Sequence, residues 1–84
     1  MDKLEIEKYM IYGAEWCGYC KTAVSLASST GKEVIYIDLT DDEKYINEVK
    51  EFYNTRTIPL IMAISTTGLV KRVGGCSDLK EFLS

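Results

Sequence analysis

Two cysteines carry the reactive chemistry that this sequence offers. Cys17 and Cys20 stand in "EWCGYCK", Glu15 to Lys21, with Gly18 and Tyr19 between them and Trp16 in front. Metal ligation, a structural bridge and thiol-disulfide exchange all use two cysteines at this spacing. A third cysteine, Cys76, brings the thiols to three, one short of a closed zinc site, and the chain has no histidine to complete the set. The missing histidine also removes the usual partner of a nucleophilic cysteine and the usual general base at neutral pH. Thiol-disulfide exchange needs neither.

The elements that must position this pair follow from the apolar pattern, which reads strand, helix, strand, helix, strand, strand, helix. "KYMIYG", Lys8 to Gly13, is apolar on both faces and rich in β-formers, which suits a strand covered on both sides. After it, Cys20, Ala23, Val24 and Ala27 recur at helical spacing, and Gly31 stands where a helix C-terminal glycine belongs. The two cysteines therefore open a helix. "EVIYID", Glu33 to Asp38, is a second strand. Thr40 and Glu43 then form a capping-box pattern before a helix with Ile46, Val49, Phe52 and Tyr53 on one face. "LIMAIS" and "LVKRV" flank the hairpin signal "TTG", and "SDLKEFL" from Ser77 supplies an N-cap residue, an early acid and an apolar side of Leu79, Phe82 and Leu83. A parallel βαβ half is thus followed by an antiparallel hairpin and a last helix, an α/β fold in the order βαβαββα.

This placement gives the cysteines unequal roles. With Cys17 at the first helical turn, the positive helix end and its unpaired N–H groups favour a thiolate there, while Cys20, one turn along, gains less. Cys17 then attacks a disulfide sulfur, a mixed disulfide forms, and Cys20 resolves it, leaving the pair oxidised. Gly18 lets the helix start tightly, and Tyr19 presents an aromatic edge beside the sulfur. The single proline, Pro59, begins the third strand, where no ladder donor is needed. Arg56, just before it, reads either as a solvated loop charge or as a group that binds an anion.

Composition excludes other classes. The chain has 84 residues, expected as one domain over 1–84, and 46% of them are hydrophobic, enough for a core. Acidic residues outnumber basic ones, 13 to 10, so neither nucleic acid nor an anionic membrane surface is an expected partner. "MDKLEIEKYM" has no apolar run of secretory length, and no stretch approaches the ~20 residues of a membrane helix. A cytoplasmic monomer is expected. In a reducing compartment a cysteine pair is catalytic, redox-sensing or metal-binding more often than a permanent bridge.

Three segments together resemble the glutaredoxin family of the thioredoxin superfamily: "WCGYCK" after the first strand, "TRTIP" before the third, and "GGCSDL" after the fourth. Their order spans nearly the whole chain. The resemblance implies a thioredoxin/glutaredoxin fold, a four-stranded mixed sheet flanked by three helices. It also implies a cis Pro59 facing the cysteine pair and glutathione as electron donor. On this pattern the backbone of Ile58 pairs with the cysteinyl unit of glutathione, with Tyr19 and Thr57 nearby. Gly75, Cys76, Ser77 and Asp78 hold its γ-glutamyl end, Asp78 reading the free amine. The sequence departs from the family where Gly18 replaces a proline and Ala14, Glu15 and Trp16 occupy the approach to Cys17. Trp-Cys-Gly-x-Cys-Lys is closer to thioredoxin, and Lys21 and Arg56 supply positive charge for the glutathione carboxylates. The implied function is reduction of protein disulfides or glutathione mixed disulfides, with Cys17 as nucleophile and Cys20 as resolving thiol. Two alternatives remain: a thioredoxin-like reductant recharged by a flavoprotein reductase, and a dimeric carrier or sensor holding a [2Fe-2S] cluster through Cys17.

Overall fold

A computed structural model describes residues 5–52 and 58–84. Tyr53, Arg56 and Thr57, which the sequence assigned to a helix face and to ligand binding, lie outside the described residues. The elements run β1 (Ile6–Gly13), α1 (Gly18–Ser28), β2 (Glu33–Asp38), α2 (Glu43–Phe52), β3 (Leu60–Ser65), β4 (Val70–Gly74) and α3 (Cys76–Leu83). The four strands form one sheet in the order β2-β1-β3-β4, with β1 parallel to β2 and antiparallel to β3, and β4 antiparallel to β3. This is the mixed sheet expected from the βαβ half and the hairpin.

Alternation along the two central strands builds the core, because successive side chains of a strand point to opposite faces. Tyr9 and Ile11 of β1 and Ile61 and Ala63 of β3 share one face with Ala23 and Ala27 of α1 and Leu79 of α3. Tyr12 of β1 and Leu60 and Met62 of β3 meet Ile46 and Val49 of α2 on the other. Layers on both faces explain why β1 from Tyr9 to Tyr12 and β3 from Leu60 to Ile64 are apolar. Small Ala23 and Ala27, both without exposure, let α1 lie close to the sheet. On the same face the rings of Tyr9 and Phe82 pack edge to face at 6.5 Å.

Element limits differ from the sequence pattern where local hydrogen bonds decide. β1 begins at Ile6 rather than Lys8, and β4 covers Val70–Gly74, one residue later than the apolar run. The Thr40–Glu43 capping box does not form. Instead the Asp42 carboxylate accepts the Tyr45 N–H at 3.0 Å and the Asp42 carbonyl accepts the Ile46 N–H at 2.9 Å, so Asp42 is the cap. Thr40 is used elsewhere: its hydroxyl donates to Asp38 and accepts the Glu15 N–H at 2.8 Å, tying the β2 end to the loop before Cys17. Phe52 is exposed rather than part of the apolar face. Asp42→Ala should therefore cost about 1 kcal/mol, the usual worth of an N-cap, seen as a lower denaturation midpoint with an unchanged slope. A midpoint equal to the parent's would return the cap to Thr40.

Candidate active site

β1 delivers the chain to the site and α1 leaves from it. The loop Ala14–Trp16 closes through a bond from the Cys17 N–H to the Ala14 carbonyl at 3.1 Å. Cys17 then takes the N-cap position of α1, with extended backbone (φ −98°, ψ 107°), and its Sγ accepts the Cys20 N–H at 3.2 Å. The sulfur thus shares the Cys20 N–H with the Cys17 carbonyl, which lies 3.1 Å from that nitrogen, at the helix start, where the macrodipole is positive. Its other contact runs to the Ile58 carbonyl, 3.8 Å away. Ile58–Pro59 is cis. Trp16 and Tyr19 flank Cys17 and are largely exposed.

Cys20 is the opposite case. It has no exposed surface, and burial above all, then the hydrogen bond with Cys17, pushes its thiol up to about 12. It remains protonated at neutral pH. The two sulfurs are free thiols, as is the buried Cys76. The arrangement is a reduced dithiol in which both residues are buried, Cys17 keeping 9% exposure and Cys20 none.

A cleft of about 460 Å³ opens beside Ile58 and Pro59, with Tyr19 on one wall and Gly75, Cys76, Ser77 and Asp78 on the other. The structure thus brings most of the anticipated binding residues to one place. The N-cap of α3 is Gly75, not Ser77, so Cys76 and Ser77 both belong to the first helical turn. Asp78 Oδ2 accepts the Gly75 N–H at 2.8 Å, which leaves Oδ1 for another partner. Gly74 makes this close approach possible: its φ of +116° disfavours any side chain, and a Cβ there would stand 2.5 Å from Asp78 Oδ2.

Sequence reasoning missed two cations of this cleft. Arg72 on β4 and Lys80 on α3 both line it. Lys80 falls four residues after Cys76, one turn along the same helix face, and that spacing was a usable signal. Arg72 had none, because only the pairing of β4 with β3 brings it alongside Met62. Lys21, expected to assist ligand binding, lies elsewhere. It lines a separate groove with Glu15, Val24, Tyr36 and Asp38.

The glutaredoxin family profile matches residues 9–64, a span that includes both cysteines and Pro59. The chain belongs to the glutaredoxin family. Among solved structures, a glutaredoxin from Brucella melitensis is similar at 29% identity with a TM-score of 0.71, covering 94% of this chain and 80% of that one. Wheat glutaredoxin is similar at 22% identity and a TM-score of 0.66, covering 83% of this chain and 63% of its own. A Schistosoma mansoni thioredoxin shares the fold alone, at 24% identity and a TM-score of 0.56. A search of curated protein sequences gave no match. The fold is thioredoxin-like, and the glutaredoxin family is one of thiol-disulfide oxidoreductases with a Cys-x-x-Cys pair. Among the described residues no group of three or more Cys, Asp or Glu side chains is placed to hold a metal. Those residues give a cluster held within one chain no ligand set.

Proposed function

We propose that this glutaredoxin-family chain reduces protein disulfides and glutathione mixed disulfides, with glutathione as its electron donor. The observation that supports this most is the continuity of the cleft from Ile58, whose carbonyl touches the Cys17 sulfur, to the start of α3. A tripeptide thiol laid along it would meet backbone groups at Ile58, helix N–H groups at Cys76 and Ser77, and the unused oxygen of Asp78. These match a cysteinyl unit, an α-carboxylate and an ammonium in turn. Arg72 and Lys80 supply charge for the remaining carboxylate.

The chemistry proceeds in two exchanges. Cys17 thiolate attacks one substrate sulfur; the other leaves as a thiolate and takes a proton from water. Cys20 gives up its proton and attacks Cys17 Sγ, the second substrate thiolate leaves, and the pair is oxidised. Two glutathione molecules, one electron each, then restore the dithiol and depart as glutathione disulfide.

A coupled assay tests the donor. Glutathione with glutathione reductase should sustain turnover and thioredoxin reductase should not. The KM for glutathione should rise with salt, since screening shortens from about 10 Å at 0.1 M to about 3 Å at 1 M and weakens the pull of Arg72 and Lys80. Turnover with thioredoxin reductase alone would replace this reading with the thioredoxin-like one.

A further inference from the structure

The groove that holds Lys21 approaches the other sulfur through one of its lining residues, Tyr36. It measures about 580 Å³, its lining comes from the Glu15 loop, from Lys21 and Val24 of α1 and from Tyr36 and Asp38 of β2, and it shares no residue with the cleft. Between groove and buried thiol stands Gly13. The point where a Cβ on Gly13 would sit is 2.8 Å from Cys20 Sγ and 2.8 Å from the Tyr36 hydroxyl oxygen. The phenol therefore reaches across the bare glycine toward the one sulfur that has no solvent of its own.

Resolution of a mixed disulfide requires Cys20 to lose a proton. While Cys17 carries the substrate, the substrate itself occupies the cleft side, so the proton must depart by another route. We propose that the Tyr36 hydroxyl is that route, relaying the Cys20 proton across Gly13 into the groove. The proposal rests on Cys20 being the resolving thiol. In the step the Cys20 S–H bond breaks, a Cys17–Cys20 bond forms and the Cys17–substrate bond breaks. The departing sulfur keeps the electron pair and takes a proton from solvent. Tyr36 accepts the Cys20 proton, directly or through one water, as it releases its own to groove water, and ends unchanged.

The surroundings suit a relay rather than a standing base. Burial above all, with the carboxylates of Asp38 and Glu15 nearby, holds the Tyr36 phenol above its ordinary range, so it stays protonated between turnovers. Lys21 is the cation of the groove, and Cys76 of α3 is the remaining group that acts on Cys20. Asp38 is held ionised by hydrogen bonds from Thr40, which keeps the groove end of the path polar.

The test is a stopped-flow single turnover of the full chain with dithiobis(nitrobenzoate). The first nitrothiophenolate released reports attack by Cys17, and the second reports attack by Cys20. Tyr36→Phe keeps the ring and removes the hydroxyl. It should leave the first release unchanged and slow the second at least about tenfold, the modest side of what a positioned proton transfer contributes. The solvent deuterium isotope effect on the second release should differ between parent and variant, whereas a merely structural change would slow both phases alike. An unchanged second release, or one slowed with the same isotope effect, overturns the relay. Cys20→Ser separates the two readings: it should abolish the second release, and if that phase persists, the resolving role of Cys20 has failed rather than that of Tyr36.

Discussion

Cys17→Ser is expected to abolish reduction of every disulfide substrate, a loss limited only by the background of the assay. A serine hydroxyl is not ionised near neutral pH and cannot replace the thiolate in exchange. The loss will not come from unfolding. Cys17 is the N-cap of α1, its side chain already accepts the Cys20 N–H, and serine is among the preferred residues for that task. Cys20→Ser should separate two activities. It should lose reduction of protein disulfides, which need a second thiol in the same molecule, and keep activity on glutathione mixed disulfides, where a second glutathione resolves Cys17. Serine keeps nearly the size of the Cys20 side chain in a site with no solvent, and the Ala14 backbone, which acts on the thiol, is close enough to offer a hydroxyl a partner. Rates of both variants on insulin and on a glutathionylated peptide decide it. Equal losses in both variants and both assays would remove the division of roles.

Much of this site was legible because its chemistry is local in sequence. Cys17 and Cys20 lie one helical turn apart, and periodicity alone put them at the start of a helix after a buried strand. β2 and β3 appear with the limits that their apolar runs suggested. The misses involve competition that pattern does not record. Thr40 has the right type and spacing for a cap, yet its hydroxyl serves the Glu15 N–H, and the nearer carboxylate of Asp42 takes the helix end. Ser77 lost the α3 cap to Gly75, whose N–H is held by Asp78. Arg72 and Tyr36 sit on opposite edge strands and read as surface alternation. They acquire a place beside the cleft and the inner thiol only through strand order, which depends on contacts distant in sequence.

Gly13 is the residue on which that long-range geometry turns, and Gly13→Ala should disturb both folding and the second exchange. The added carbon would stand 2.8 Å from Cys20 Sγ, 2.8 Å from the Tyr36 hydroxyl and 2.9 Å from Cys20 Cβ. None of these separations is sustainable, since carbon atoms pack at about 3.5–4.0 Å. Tyr36 is a partly exposed side-chain end and can swing into the groove. Cys20 cannot, because its Cβ is fixed to the backbone of α1 and its sulfur is fully enclosed. The start of α1 must therefore lift from β1, at the 1–3 kcal/mol typical of overpacking. For a domain of this size each kcal/mol lowers the melting temperature by about 4–8 °C. Movement of Cys20 also spoils its line of attack on Cys17, so release of the second thiol should slow while the first, which depends on Cys17 alone, changes less. Gly18→Ala is the control for stability: no atom lies within 4 Å of its added carbon, and alanine is the better helix former. Its melting temperature should equal or exceed the parent's. If Gly13→Ala melts with the parent and releases the second thiol as fast, then β1 and α1 are not in the contact described, and neither Cys20 nor Tyr36 is held as the structure places it.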